Sequence, residues 1–362
     1  MKALVLNAVG HGFDFEDVDI ALPTGREVLV KVQASGLCHT DLLFATHAVV
    51  PTPAVLGHEV AGMVEAVGPE VAQFRVGEHV VGALAQSCGA CARCLSARSF
   101  QCQHPESTLR RPADAPRLSR KEAPLFQGFG LGGFAELALI HENQLAAVPK
   151  EMPFAQAALL GCGVVTGAGS VLNTAQVSAG ETVVIFGAGG VGLNAVSGAR
   201  IAGATRIVVI DIQSKRLEAA KRFGATDVVD STTSKPVEAV RELLRGGADH
   251  VFDFVGLKAV AEQGLAMLGV GGGLYLVGVT RPEAGIDLNI FDAIGGQKRV
   301  VGVNFGSTNF KRDIPMYAEL YLQGRMNLDD LVSKTIALRD VNEGYAALKD
   351  GSLNRVVVTS FG

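Results

Sequence analysis

Thr182-Val183-Val184-Ile185-Phe186-Gly187-Ala188-Gly189-Gly190-Val191-Gly192 is the stretch on which the fold turns. Its first five residues are a near-continuous apolar run, the texture of a strand buried on both faces of a parallel sheet. The last six fit G-x-G-x-x-G. That pattern alone is common. Here a strand precedes it, a helical pattern follows it to about residue 202, and Asp211 closes the next strand 19 residues after Gly192, which is the context a dinucleotide loop requires. Gly187 allows the tight turn, Gly189 lets a pyrophosphate approach the backbone, and Gly192 lets helix and strand pack closely. Gly190 and Val191 complete the loop and present the N–H groups of the helix terminus to the phosphates. Asp211 would accept hydrogen bonds from ribose hydroxyls and repel a 2′-phosphate, so the spacing predicts NAD over NADP. Arg216, five residues on, fits either a group beside the adenosine or a solvated helix charge.

Outward from this loop the chain alternates β and α patterns. Strands are predicted at 206–210, 227–229, 249–254, 274–279 and 299–303. The helix over 214–223 is stopped by Gly224. With 182–186 these make six short strands, the count of a doubly wound sheet. On the N-terminal side the texture is β-rich, with strands near 4–6, 27–32, 60–68, 78–81 and 132–140 separated by Pro and Gly turns. After about 304 the structure is mixed, and 355–358 is a last apolar run able to rejoin the first sheets. The α/β chain therefore divides into residues 1–163, with a lobe at 86–125, a doubly wound domain at 164–303, and a return segment at 304–362.

The 362 residues are 48% hydrophobic and 19% charged, with a formal net charge of -4, which predicts no nucleic-acid partner and no pull to acidic membranes. No secretory signal opens the chain, and no apolar run approaches the roughly 20 residues of a membrane helix. The expected compartment is the cytoplasm, where thiols stay reduced. The six cysteines then read as metal ligands, not disulfides.

Four of them form Cys88-x2-Cys91-x2-Cys94-x7-Cys102. Four thiolates in one loop suit a closed, structural zinc site, with an iron–sulfur cluster as the rival. The basic run that follows, Arg110, Arg111, Arg117, Arg120 and Lys121, reads as a solvated loop, or as a patch that draws an anionic substrate. Cys38 and Cys162 remain. His58 follows Cys38 by 20 residues. Each alone reads as a buried thiol or a core histidine. Together they are three zinc ligands with the fourth position open, as a catalytic site needs. In Gly161-Cys162-Gly163 the flanking glycines predict a tight turn where one domain hands over to the next.

These pieces, with Gly36-Leu37-Cys38-His39-Thr40-Asp41, Gly57-His58-Glu59-Val60-Ala61-Gly62, Thr166 and Asn354-Arg355, resemble the zinc-containing alcohol dehydrogenases of the medium-chain dehydrogenase/reductase superfamily. They fall in the family's order and span nearly the whole chain. The resemblance implies a GroES-like β-rich catalytic domain and a Rossmann coenzyme domain, with NAD and two zinc ions per subunit. It implies that Cys38, His58 and Cys162 hold the catalytic zinc, with Glu59 as a transient ligand behind it. Asp41 would orient His58, and Thr40 would hydrogen-bond the substrate oxygen and begin the proton relay. His39 and Arg355 would lie by the pyrophosphate, Thr166 by the nicotinamide, and Val277 and Val279 beside the cofactor. The usual relay histidine is replaced by Leu43, leaving the ribose with His39, His47 or water as the route. Leu84 and Val279 match substrate-lining positions, and both are apolar. The implied reaction interconverts a hydrophobic, allylic or aromatic primary alcohol and its aldehyde. The alternatives are a glutathione-dependent formaldehyde dehydrogenase, an acyl-thioester alcohol dehydrogenase, or a non-catalytic NAD(H)-binding redox sensor. The resemblance also implies a homodimer or homotetramer joined through the edge strand near 299–303.

Overall fold

A computed structural model describes residues 1–349 and 353–362. The chain divides into two units, Met1–Cys162 with Asn309–Gly362, and Gly163–Thr308.

The second unit holds six parallel strands. Their spatial order is Asp227–Asp230, Arg206–Asp211, Thr182–Phe186, Ala248–Asp253, Leu268–Leu276 and Arg299–Gly302. In chain order this is 3-2-1-4-5-6, the doubly wound arrangement. Val184 lies between Val208 and Val251 in register, and all three side chains enter one apolar core. The helices Gly190–Ala202 and Ser214–Phe223 end on left-handed glycines, Gly203 and Gly224, which no β-carbon opposes. The fifth strand stops at Leu276 and not near 279. The N–H groups of Val277 and Gly278 turn to the Asp253 carbonyl, and a β-carbon on Gly278 would lie 2.3 Å from the Gly256 nitrogen. The ladder gives way there to a backbone crossing.

The first unit is built on the strand Glu27–Gly36, paired antiparallel with Glu59–Val67, Leu137–His141 and Arg355–Ser360. His79–Gly82 and Leu145–Ala147 extend the sheet on one side, and Val332–Ala337 on the other. Leu4, Leu6, Phe13, Leu37, Phe134, Tyr345, Val356 and Val358 share one core. Strand 27–36 runs directly into the helix His39–Thr46, so a short helix opens where the sequence shows only a motif.

Three expectations are corrected. The basic loop is not simply solvated. Arg110 Nη2 and Arg117 Nε reach Glu27 at 2.6 and 2.7 Å, with Arg117 and Glu27 buried. Arg117 also donates to the Thr108 carbonyl, and Arg120 pairs with Glu16. A carboxylate buried in the strand needs these cations, and they draw the loop onto the sheet. The Gly161-Cys162-Gly163 stretch is no tight turn. Leu160–Val164 is a π-helical turn between helices Phe154–Leu159 and Val165–Gly169. Gly161 serves close approach: a β-carbon there would stand 2.2 Å from the Gly82 carbonyl oxygen. Finally, Phe154–Ala175 is a 22-residue helical run long and apolar enough to cross a membrane by length and composition. Gln156, Asn173 and the glycines hide that length in the sequence. Within its most apolar 18-residue window, 78% is buried inside the protein, as in a core helix.

Candidate functional site

Four side chains converge in the first unit. Cys38 joins the strand Glu27–Gly36 to the helix His39–Thr46, His58 immediately precedes the strand that Glu59 opens, and Cys162 lies in the π-helical turn. One ligand atom from each lies within 4.8 Å of the others, and all four residues are buried. Among the described residues, His58 Nε2 and Glu59 Oε2 are buried with neither a hydrogen-bond nor an ion-pair partner. A bare buried polar atom costs about 1–3 kcal/mol, which a bound cation removes. Two thiols, an imidazole and a carboxylate suit zinc.

The surroundings aim these groups. Asp41 Oδ2 stands 2.9 Å from His58 Nδ1, while its Oδ1 accepts the Gly57 N–H at 3.1 Å. That leaves Nε2 for the cluster. Arg355 is buried, with Nη2 3.4 Å from Glu59 Oε1 and Nη1 donating to the Leu37 carbonyl at 3.4 Å. Its hold on Glu59 is a partnership the sequence does not reveal. The hydrogen bond with Cys162 brings the Cys38 thiol well below the ordinary range, and the same bond with burial pushes Cys162 well above it. Zinc binds thiolates, so an ion held here would displace the thiol protons.

Other predicted residues are placed as follows. Thr40 is half-buried on the second position of helix His39–Thr46, and His39 is exposed. His47 is exposed just past that helix, its Nδ1 3.0 Å from Thr46 Oγ1. Leu84 is buried, while Val279 is 73% exposed. Sequence reasoning missed one feature. Phe129 stacks on Phe44 at 5.3 Å and meets the His58 ring edge-on at 5.1 Å. Both phenylalanines are half-buried, so this aromatic column leads from the surface to the cluster. Phe44 lies one helical turn after Thr40, a spacing that could have flagged it.

The four-cysteine lobe is a second cluster. Its Sγ atoms also lie within 4.8 Å of one another, with Cys88–Cys94 at 3.9 Å and Cys91–Cys94 at 3.6 Å. A tetrahedron with metal–sulfur bonds of ~2.3 Å has edges of ~3.8 Å. The set therefore fits one ion and is too tight for a four-iron cluster. Backbone N–H groups of Cys88, Ala90, Cys91 and His104 donate to these sulfurs at 3.2–3.4 Å.

In the second unit the glycine loop sits where the strand order reverses, between Thr182–Phe186 and Ala248–Asp253. No side chain caps the helix that begins at Gly190. A β-carbon on Gly189 would meet nothing within 4 Å, whereas one on Gly192 would stand 1.8 Å from the Gly187 carbonyl oxygen. The loop is open on the face a phosphate would take and closed on the packing face, so the residues fit a dinucleotide. Asp211 accepts N–H bonds from Ala188 at 2.7 Å and Gln213 at 2.9 Å, which leaves carboxylate lone pairs for ribose hydroxyls. Thr166 and Arg216 are half-buried, on helices Val165–Gly169 and Ser214–Phe223, and Val277 is tied to Asp253 as described.

Two family models match the chain, the alcohol dehydrogenase GroES-like domain over residues 24–150 and the zinc-binding dehydrogenase over residues 190–321. The chain belongs to the zinc-containing alcohol dehydrogenases of the medium-chain superfamily. As a member it is an oxidoreductase that uses zinc and NAD on a small-molecule alcohol or carbonyl substrate. A probable S-(hydroxymethyl)glutathione dehydrogenase of Schizosaccharomyces pombe is 34% identical over 99% of this chain and 96% of its own length. An alcohol dehydrogenase zinc-binding domain protein from Burkholderia ambifaria superposes with a TM-score of 0.95 at 38% identity, covering 100% of this alcohol dehydrogenase and 99% of the other chain. Benzyl alcohol dehydrogenase from Acinetobacter calcoaceticus superposes with a TM-score of 0.93 at 35% identity, over 99% of both chains.

Proposed function

We propose that the protein interconverts aromatic or other hydrophobic primary alcohols and their aldehydes. The observation that carries this reading is the Phe44–Phe129 stack set against His58. Flat apolar substrates gain from such a wall by burial and ring–ring contact, and short polar alcohols do not. Cys38, His58 and Cys162 would hold the catalytic zinc, with Glu59 behind them and Asp41 orienting His58. Cys88, Cys91, Cys94 and Cys102 would hold the structural zinc. The Gly187–Gly192 loop and Asp211 would hold NAD, with His39, Thr166, Arg216, Val277, Val279 and Arg355 as further contacts. Zinc supplies Lewis-acid polarisation of the substrate oxygen, and NAD supplies the hydride acceptor. The chain's own part is positional. The Thr40 hydroxyl would hydrogen-bond the substrate oxygen and take the alcohol proton only as it hands its own on toward the ribose or water, the aromatic column would exclude water, and Asp41 would keep His58 in one orientation.

The name of the S. pombe relative favours a second reading, a glutathione-adduct substrate. The arginines that would have supported it are largely spent on Glu27 and Glu16. We infer a cytoplasmic homodimer or homotetramer. Support comes from the edge strand Arg299–Gly302 and the adjacent helix Ile290–Gly295, on which Ile290, Phe291 and Ile294 are 70%, 84% and 73% exposed.

The test is an alcohol panel with NAD, following absorbance of the reduced cofactor. Benzyl and cinnamyl alcohol should exceed ethanol in kcat/KM by about tenfold or more, the worth of roughly 1.4 kcal/mol of transition-state contact. A preference for formaldehyde that depends on added glutathione would replace this reading with the second.

A further inference from the structure

Asp41 fixes His58, and the structure holds a counterpart for Cys38. Cys38 stands at the N-cap of the helix His39–Thr46, in extended conformation and with no side-chain cap. Its carbonyl receives the Leu42 N–H only at 3.4 Å. The other donor to that oxygen comes from far along the chain, the Tyr345 hydroxyl at 3.2 Å. Tyr345 is 3% exposed. Its ring stacks on Phe13 at 6.0 Å and meets Phe134 edge-on at 6.4 Å, so the hydroxyl has a fixed origin. The preceding residue is held from the same C-terminal segment. The Leu37 N–H donates to the Val356 carbonyl at 2.9 Å, and the Leu37 carbonyl accepts from Arg355. Three backbone groups of Leu37 and Cys38 are thus gripped by Tyr345, Arg355 and Val356.

We propose that Tyr345 is a positioning residue for the metal site, holding the Cys38 peptide so that its sulfur points into the Cys38–His58–Cys162 cluster. The inference rests on the reading of that cluster as the catalytic zinc site. A ligand that can swing pays ordering entropy at each rebinding, so an anchored cysteine releases metal more slowly.

Tyr345→Phe keeps the ring and removes only the hydroxyl. The measurement is zinc release from the full-length holoprotein to a chromogenic chelator, resolved into two phases. Cys162→Ser and Cys94→Ser identify which phase belongs to which cluster. Tyr345→Phe should speed release from the Cys38 cluster about fivefold, the equivalent of one ordinary hydrogen bond. Release from the four-cysteine cluster and the melting temperature should stay at wild-type values. With cobalt in place of zinc, the thiolate-to-metal absorption band should also shift. Equal release rates in wild type and Tyr345→Phe would overturn the proposal. So would a rise in both phases with a lowered melting temperature, which marks a purely structural role. A wild-type protein that yields one zinc per chain would instead sink the catalytic-site reading itself.

Discussion

The carboxylate of Asp41 stands 2.9 Å from Nδ1 of His58, and neither side chain reaches solvent. Such a partner fixes the tautomer and the ring plane, so that a single nitrogen faces the metal. Asp41→Asn keeps the shape and removes the charge. It should weaken zinc at the Cys38 cluster by about 10–100-fold, read from titration against a competing chelator, and leave the four-cysteine zinc in place. Wild-type affinity in Asp41→Asn would remove the orienting role.

Cys162 belongs to the cluster by geometry and to the helical run by backbone. Cys162→Ser should retain one zinc per chain by metal analysis and normal NADH fluorescence binding. Its turnover should fall on the order of a thousandfold or more, as expected when a Lewis-acid site is lost. A variant that turns over normally would exclude Cys162 as a ligand.

Thr40 and His47 separate two proton routes. His47 is exposed and engaged with Thr46, the last residue of the helix before it, and Leu43 offers no titratable group between. Thr40→Ala should lower alcohol oxidation by about a hundredfold, and His47→Ala should leave it near wild type. Steady-state rates across pH 6–10 would check the ordering, and a large loss from His47→Ala alone would reverse it.

Glu27 gives a prediction about stability. Burial opposes its charge, but hydrogen bonds from Arg110, Thr24 and Arg117 prevail and hold its pKa at about 2, against 4.5 for a free glutamate. Because the folded value is the lower one, the stabilisation is complete above pH 4.5. It fades as pH falls toward 2. The gap corresponds to about 3 kcal/mol. Urea midpoints measured from pH 6 down to 2.5 should show this loss, and Glu27→Gln should flatten it. Arg117→Ala should cost about 1.5–3 kcal/mol at neutral pH, since it removes one of the two charged partners of a buried carboxylate. A variant within experimental error of wild type would show that Arg110 alone suffices.

Legibility in the sequence followed the range of the interaction. The glycine loop was readable because each glycine answers a steric demand within its own turn, as Gly192 does against Gly187. Cys38, His58 and Cys162 can be singled out in the sequence because thiols and imidazoles carry their chemistry in their identity, and the fold brings them together. Arg110 and Arg117 were misread because their partner Glu27 is 83 and 90 residues away, and charge density alone says nothing of pairing. Tyr345 and Cys38 are separated by 307 residues, and a tyrosine in a helical pattern announces only a core position. Gly161 was assigned the wrong reason. Its lack of a β-carbon serves contact with Gly82, and the local backbone remains helical.

The strand Arg355–Ser360 lies between Glu27–Gly36 and Val332–Ala337, so the sheet that leads into Cys38 joins residues distant in the chain. The dinucleotide unit, by contrast, is one uninterrupted run from Gly163 to Thr308. During synthesis, which proceeds from the N-terminus and lets units fold as they emerge, every strand of the cofactor sheet has left the ribosome before the Leu37–Cys38 peptide can meet the residues that grip it. This topology lets the doubly wound unit form first and leaves the Leu37–Cys38 peptide to be secured last.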